Sequence, residues 1–147
     1  LVHMESWQVF DDPRFTLQFK YPSMAANGEP VERVETQFEG VLRVHVLSPT
    51  SCEIYFEVSK YEALSAEGEY VHHKADLLRQ FHPLTISEMK PVICASLPAY
   101  EYTFGWDQGE RTVILLERGG ATYRILYNPR FPVNLQILST MEWLKLP

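Results

Sequence analysis

The chain has 147 residues, enough for one domain with a sizeable core. Hydrophobic residues make up 46% and charged residues 22%, the proportions of a folded globular protein, which excludes wholesale disorder. Thirteen Lys and Arg stand against nineteen Asp and Glu, a formal charge of −6, and the basic residues are scattered, which argues against a nucleic-acid interface and a polybasic membrane patch.

In chain order, Leu1-Val2-His3-Met4 reads as an expression scar ending in a start Met, leaving 5–147 as a single domain. A cytoplasmic protein beginning at Met4 and a mature exported protein cloned without its leader both fit. No stretch reaches the roughly 18 apolar residues of a membrane-spanning helix. Trp7 to Phe10 is a short strand, turned by Asp11-Asp12-Pro13 into Phe15–Tyr21, where every odd position is apolar or aromatic and every even one polar. Ser23 to Glu32, with Asn27-Gly28 and Pro30, reads as a loop.

Strands follow near Leu42–Leu47 and Cys52–Lys60, joined at Ser48-Pro49-Thr50-Ser51. In the second, Ile54, Phe56 and Val58 are expected inside, with Glu53, Tyr55 and Glu57 facing water. The connections are too short for helical crossovers, so pairing is antiparallel. Glu69 to His82 is predicted helical, its apolar stripe formed by Val71, Ala75, Leu77, Leu78 and Phe81, with Pro83 as the stop. Strands resume at Tyr100–Phe104, Arg111–Glu117 and Thr122–Tyr127, with turns at Asp107-Gln108-Gly109 and Gly119-Gly120. After the rigid Asn128-Pro129-Arg130-Phe131 link, Pro132 to Leu146 is predicted as a second helix with Ile137, Leu138, Met141 and Leu144 on one face. The fold class is α+β: an antiparallel sheet of about six to seven strands flanked by helices, sandwich-like in αβα order.

Several of these segments carry a family resemblance. Phe15-x-Leu17-x-Phe19-x-Tyr21-Pro22 resembles the entry strand of PsbP-like domains, and Ser96-Leu97-Pro98-Ala99-Tyr100-Glu101-Tyr102-x-Phe104 is similar to that family's strand after the central helix. Tyr123-x-Ile125-x-Tyr127 and Ile137-Leu138-Ser139-Thr140-Met141 resemble its final hairpin and helix, so the likeness spans roughly residues 7 to 146. The chain departs from the pattern at Ser23-Met24-Ala25, where a Trp is usual, and at Leu97, where a Gly is usual. The superfamily includes the extrinsic PsbP protein of the oxygen-evolving complex, a Ran-binding nuclear-import factor and bacterial proteins of unassigned role. The resemblance implies an antiparallel sheet between helices. It also implies a protein that binds and assists other proteins rather than catalyses; no photosystem or Ran contact residue maps onto this chain.

Two constellations have the residue types for binding. Glu69, His72, His73 and Asp76 follow i, i+3, i+4, i+7 spacing, so all four are expected on one helix face, where imidazole and carboxylate could ligate a divalent metal. The same four also suit a solvated face opposite Val71, Ala75 and Leu78. Tyr100, Tyr102, Tyr123 and Tyr127 fall on neighbouring strands and could line a ligand cleft or pack as cross-strand aromatic pairs. Cys52 and Cys94 are two small thiols outside any CxxC motif, able to pair only if the fold brings them together. There is no G-x-S-x-G elbow, HExxH or phosphate-binding glycine loop. The leading expectation is therefore a non-catalytic protein-binding or accessory module with an unidentified protein partner. The alternative is a carrier of a small ligand or metal ion on the helix face or in an aromatic cleft.

Overall fold

The computed structural model describes residues 6–62, 64–82 and 84–146. The scar and start Met at 1–4, and the helix stop assigned to Pro83, lie outside the described residues. Among those described, eleven strands and two helices follow one another as β1 (Gln8–Asp12), β2 (Leu17–Tyr21), β3 (Glu32–Phe38), β4 (Val41–Leu47), β5 (Tyr55–Tyr61), α1 (Ala66–Gln80), β6 (Thr85–Ile86), β7 (Lys90–Cys94), β8 (Leu97–Trp106), β9 (Gly109–Arg118), β10 (Ala121–Tyr127), α2 (Pro132–Ser139) and β11 (Glu142–Trp143). None of these helices is long and apolar enough to cross a membrane.

The strands form two antiparallel sheets. A large one runs β3-β4-β5-β10-β9-β8, with β6 and β7 sharing the outer edge of β8, and a small one runs β1-β2-β11. The count exceeds the six or seven strands expected because β3, β6, β7 and β11 are exposed or very short and show little hydrophobic alternation. β3 is exposed along its whole length, so no buried face marks it in the sequence.

Each face of the large sheet is covered differently. On one, the small sheet and α2 close over Val44, Val46, Ile54, Phe56, Val58, Ile114, Leu116, Tyr123, Ile125 and Tyr127. On the other, α1 covers a smaller cluster that includes Leu77, Tyr102, Phe104, Val113, Leu115 and Leu126. Ile54, Phe56 and Val58 are buried as their alternation predicts. The opposite face of β5 is not open to water: Ser59 is fully buried and Tyr55 and Glu57 are half-buried, because α1 and its neighbours overhang them.

The second helix is shorter than predicted, and the reason is local. Helix α2 ends at Ser139, where the Thr140 hydroxyl donates to the Ile137 carbonyl and accepts from the Lys20 backbone N–H at 2.8 Å. The chain then turns, and Glu142-Trp143 pairs with Gln18-Leu17 as β11. An open edge of β2 offers a ladder that the sequence periodicity cannot register. At the start of α2, the buried Asn134 amide donates to the Glu53 and Asn128 carbonyls at 2.9 Å each and accepts from the Tyr55 N–H, fixing the helix to β5 and to the end of β10.

Candidate functional site

Helix α1 begins at Ala66, capped by the Ser65 hydroxyl, which accepts from the Gly68 N–H at 3.0 Å. Its orientation reverses the one its apolar stripe suggests. Val71 and Leu78 point outward, 61% and 46% exposed, whereas Glu69 and His73 are buried at 1% and 8%. Ala66 and Leu77 complete the inner face.

The polar face turns inward because the sheet beneath it is charged. Antiparallel register sets Arg43, Ser59, Arg124 and Leu115 in one row across β4, β5, β10 and β9, and His45, Glu57, Leu126, Val113 and Tyr102 in the next. Arg124 is at the centre. Its Nη1 donates to Glu69 Oε1 and its Nη2 to Glu57 Oε1, both at 3.2 Å. Glu57 is shared further, with Arg43 Nε at 3.5 Å and His45 Nδ1 at 3.9 Å. A hydrophobic helix face placed there would strand the guanidinium and the carboxylate in low dielectric, a cost of several kcal/mol. Meeting them with Glu69 decides the helix rotation.

The electrostatics follow from this packing. Burial weighs against the charge on Arg124, but the surrounding Tyr61, Glu57 and Glu69 outweigh it and hold the guanidinium firmly protonated. Burial raises the Glu69 carboxyl above its ordinary value, with Arg124 and His72 opposing. Burial, reinforced by the positive charge of Arg124, pushes His73 down to about 3, so its ring is neutral at physiological pH. His73 Nδ1 is hydrogen-bonded to the Tyr102 hydroxyl, whose own pKa is raised by burial. Three buried polar atoms around this network have no hydrogen-bond partner among the described residues: Glu69 Oε2, Arg124 Nε and His45 Nε2.

Above the network lies a cleft of about 560 Å³. Arg43, Glu57, Tyr61 and Arg124 form its floor and the inner side of α1 one wall; Tyr55, Phe81, Phe104, Trp106 and Arg111 line the remainder. The Arg111 guanidinium sits between two rings, 4.5 Å from the Tyr55 centroid and 5.2 Å from that of Trp106. Its Nη1 donates to the Glu110 carbonyl, and among the described residues it forms no ion pair. Trp106 and Arg111 also border a larger, shallower depression of about 900 Å³ beside the β8–β9 hairpin and the loop into α2.

The residues singled out in the sequence are divided by this arrangement. Glu69 and His73 enter the buried network; His72 and Asp76 stay at the rim, 3.4 Å apart, with Asp76 also bonded to Arg79. All four line the one cleft beside α1, Glu69 and His73 at its buried base and His72 and Asp76 at its rim, but among the described residues no three His, Cys, Asp or Glu side chains converge to hold a metal. The predicted solvated face is likewise corrected, since two of its four members are core. The tyrosines do not form a cleft either. Tyr102 lies under α1, whereas Tyr123 and Tyr127 belong to the opposite core and Tyr100 is 44% exposed. Register accounts for this: Tyr102 pairs with Val113 and Tyr123 with Leu116, positions of opposite parity on β9. Cys52 and Cys94 are unpaired, and burial raises Cys94 to about 11.

Arg43, Arg111 and Arg124 carry no motif in the sequence, and Glu57, expected to face water, instead pairs with Arg124 beneath α1. One signal was available: Arg124 interrupts Tyr123–Tyr127, a strand with both faces buried, and a cation there requires buried acids.

No protein-family profile matches the chain, and no curated protein matches it in sequence. Among solved structures, the solution structure of cyanobacterial PsbP (CyanoP) from Synechocystis sp. PCC 6803 is similar, with a TM-score of 0.61 at 12% identity over 97% of this chain and 95% of that one. A crystal structure from Bacteroides thetaiotaomicron is similar with a TM-score of 0.52 at 12% identity, over 95% of this chain and 49% of that one. The fold of this chain is PsbP-like. The quoted sequence motifs fall on β2, β8, β10 and α2, mostly at core positions of that fold.

Proposed function

We propose that the protein is a non-catalytic binding module of the accessory kind, and that the cleft beside α1 receives an acidic group of a partner protein. The observation that carries this reading is the state of Arg111. Arg43 and Arg124 are matched by Glu57 and Glu69, whereas Arg111 lies against the Tyr55 and Trp106 rings and forms no ion pair among the described residues. A guanidinium fixed in that way has already lost its rotamer freedom and presents a planar donor fork suited to a carboxylate. The PsbP-like fold supports an accessory role. So does the chemistry of the site: His73 is committed to Tyr102 and held neutral, and the Tyr102 proton is held more tightly than in water, so the groups in the network best placed to act as base are quenched.

Affinity capture from the source organism, run in parallel with wild-type, Arg111→Ala and Trp106→Ala protein, tests the reading. A stoichiometric partner is expected with the wild type and is expected to be lost from both variants. Undiminished recovery by both variants, or no partner above background, contradicts it.

A second reading, carriage of a small polar ligand, is favoured by Glu69 and Arg124, two residues lining the cleft whose Oε2 and Nε have no hydrogen-bond partner among the described residues. A saturable rise in melting temperature with small carboxylates would select it over a protein partner.

A further inference from the structure

Turning its polar side to the sheet leaves α1 with an uncovered apolar seam. Val71 and Leu78 lie on its outer surface with Leu64 just before the cap, respectively 61%, 46% and 40% exposed and spaced seven residues apart. Leu64, Gly68, Val71 and Ala75 line a shallow groove of about 640 Å³ along this side. On an α-helix, positions seven apart drift by only about 20°, so Val71 and Leu78 form one line opposite the buried face, and Leu64, which precedes the Ser65 cap, borders the same groove as Val71.

The order of residues along the seam is palindromic about Val71. Leu64 and Leu78 stand seven residues to either side. Gly68 and Ala75, both small, are displaced to one flank at −3 and +4; Glu67 and Lys74 are displaced to the other at −4 and +3. At 1.5 Å rise per residue, Glu67 lies about 6 Å before Val71 and Lys74 about 4.5 Å after it. A two-fold axis through Val71, perpendicular to the helix, brings a second α1 alongside in antiparallel sense and keeps each flank against its own copy. Within the helices, Val71 then meets Val71, Gly68 meets Ala75, and Glu67 meets Lys74, each heterologous pair occurring twice, while Leu78 reaches the end of the partner helix that Leu64 leads into. Neither Glu67 nor Lys74 takes part in an ion pair among the described residues; Lys74 rests over the Tyr70 ring, 5.8 Å away. A self-complementary patch in shape, size and charge is the requirement of an isologous interface.

We infer that the outer face of α1 is a homodimerisation surface, with a second copy of this chain as its occupant in antiparallel register about Val71. One helix pair covers less than the standard interface of about 1,600 Å², so the dimer is weak and forms reversibly with concentration. The inference is independent of the cleft, which lies on the other side of the helix.

Sedimentation velocity of the full chain over a concentration series into the high micromolar range is the test. The wild type is expected to show a reversible monomer–dimer equilibrium and Val71→Glu to remain monomeric. Glu67→Lys or Lys74→Glu alone should weaken the dimer several-fold, because each places like charges together twice. Combining the two restores opposite charges and is expected to return the dimer toward wild-type strength. Leu78→Lys provides the same reading as Val71→Glu should the latter unfold. A wild type that stays monomeric, a dimer indifferent to the seam substitutions, or a double charge reversal as weak as the singles overturns the inference.

Discussion

His73 shows how a single side chain can be read backwards from sequence. Its i, i+3, i+4 company suggested either a metal ligand or a solvated polar residue, yet it is packed against Phe104 at 5.5 Å between ring centroids and bonded to Tyr102. Its ordinary pKa of 6.5 is pushed down to about 3 in the folded protein. Between those values the unfolded chain binds a proton that the folded one does not, so the stability conferred by the neutral ring is complete above about pH 6.5 and is lost as pH falls toward 3. Glu69 acts with the opposite sign over the carboxylate range, because burial raises its folded pKa and the folded state binds that proton more tightly. The His73 contribution is therefore isolated by comparing variants. Urea unfolding of wild type and His73→Gln from pH 7 to pH 4 should give a flatter pH dependence for the variant, by up to about 3 kcal/mol over that span. Parallel curves would show that His73 is not buried as neutral imidazole. None of this was visible in the helix periodicity, which reports where apolar residues recur but not which face meets a charged sheet. Arg124, flanked by buried Tyr123 and Ile125, was the residue from which the inversion of α1 could have been foreseen.

At the scale of elements, turn chemistry was the most legible part and short edge strands the least. Gly119-Gly120 was read as a hairpin turn requiring positive φ, and both glycines adopt it, at 61° and 79°. The β3–β4 turn at Glu39-Gly40 went unread because β3 has no buried face to announce it. The β7–β8 connection is a further hairpin of this class, but without glycine: Ala95 and Ser96 carry φ of 48° and 71° between the paired Cys94 and Leu97. Left-handed backbone costs a non-glycine residue about 1–2 kcal/mol. Replacing Ala95-Ser96 with Asn-Gly is expected to stabilise the protein by about 1–2 kcal/mol, read as a shift in the urea midpoint at unchanged slope. A loss of stability would place the strain elsewhere. Helix α2 shows the limit of periodicity in the other direction: Ile137 and Met141 are buried as predicted, but the chain leaves the helix at Thr140 to complete the small sheet.

The whole molecule divides its large sheet between two tasks. The layer between the large sheet and the small sheet with α2 is built of large apolar side chains, Phe56 and Tyr123 from the large sheet and Phe10, Phe15 and Phe19 from β1, β2 and their turn, and holds the domain together. The face under α1 combines a smaller apolar cluster with shared charges, unpartnered polar atoms and an open cleft. Architecture and fold resemblance were both legible in the sequence, since they rest on core positions such as Phe19, Phe56, Tyr102 and Ile125 that alternate along the strands. The cleft was not, since its residues come from β4, β5, β8, β9 and β10 as well as α1 and meet only through strand register. The proposed binding surface is this cleft, with Arg111 as its anchor. The most direct measurement is backbone amide shift mapping of isotope-labelled protein titrated with the captured partner. The account predicts perturbations concentrated at Tyr55, Trp106, Arg111 and the inner turns of α1, with the β1-β2-β11 sheet unchanged. Perturbations confined to the small sheet or the β3 edge, with those cleft residues silent, would contradict it.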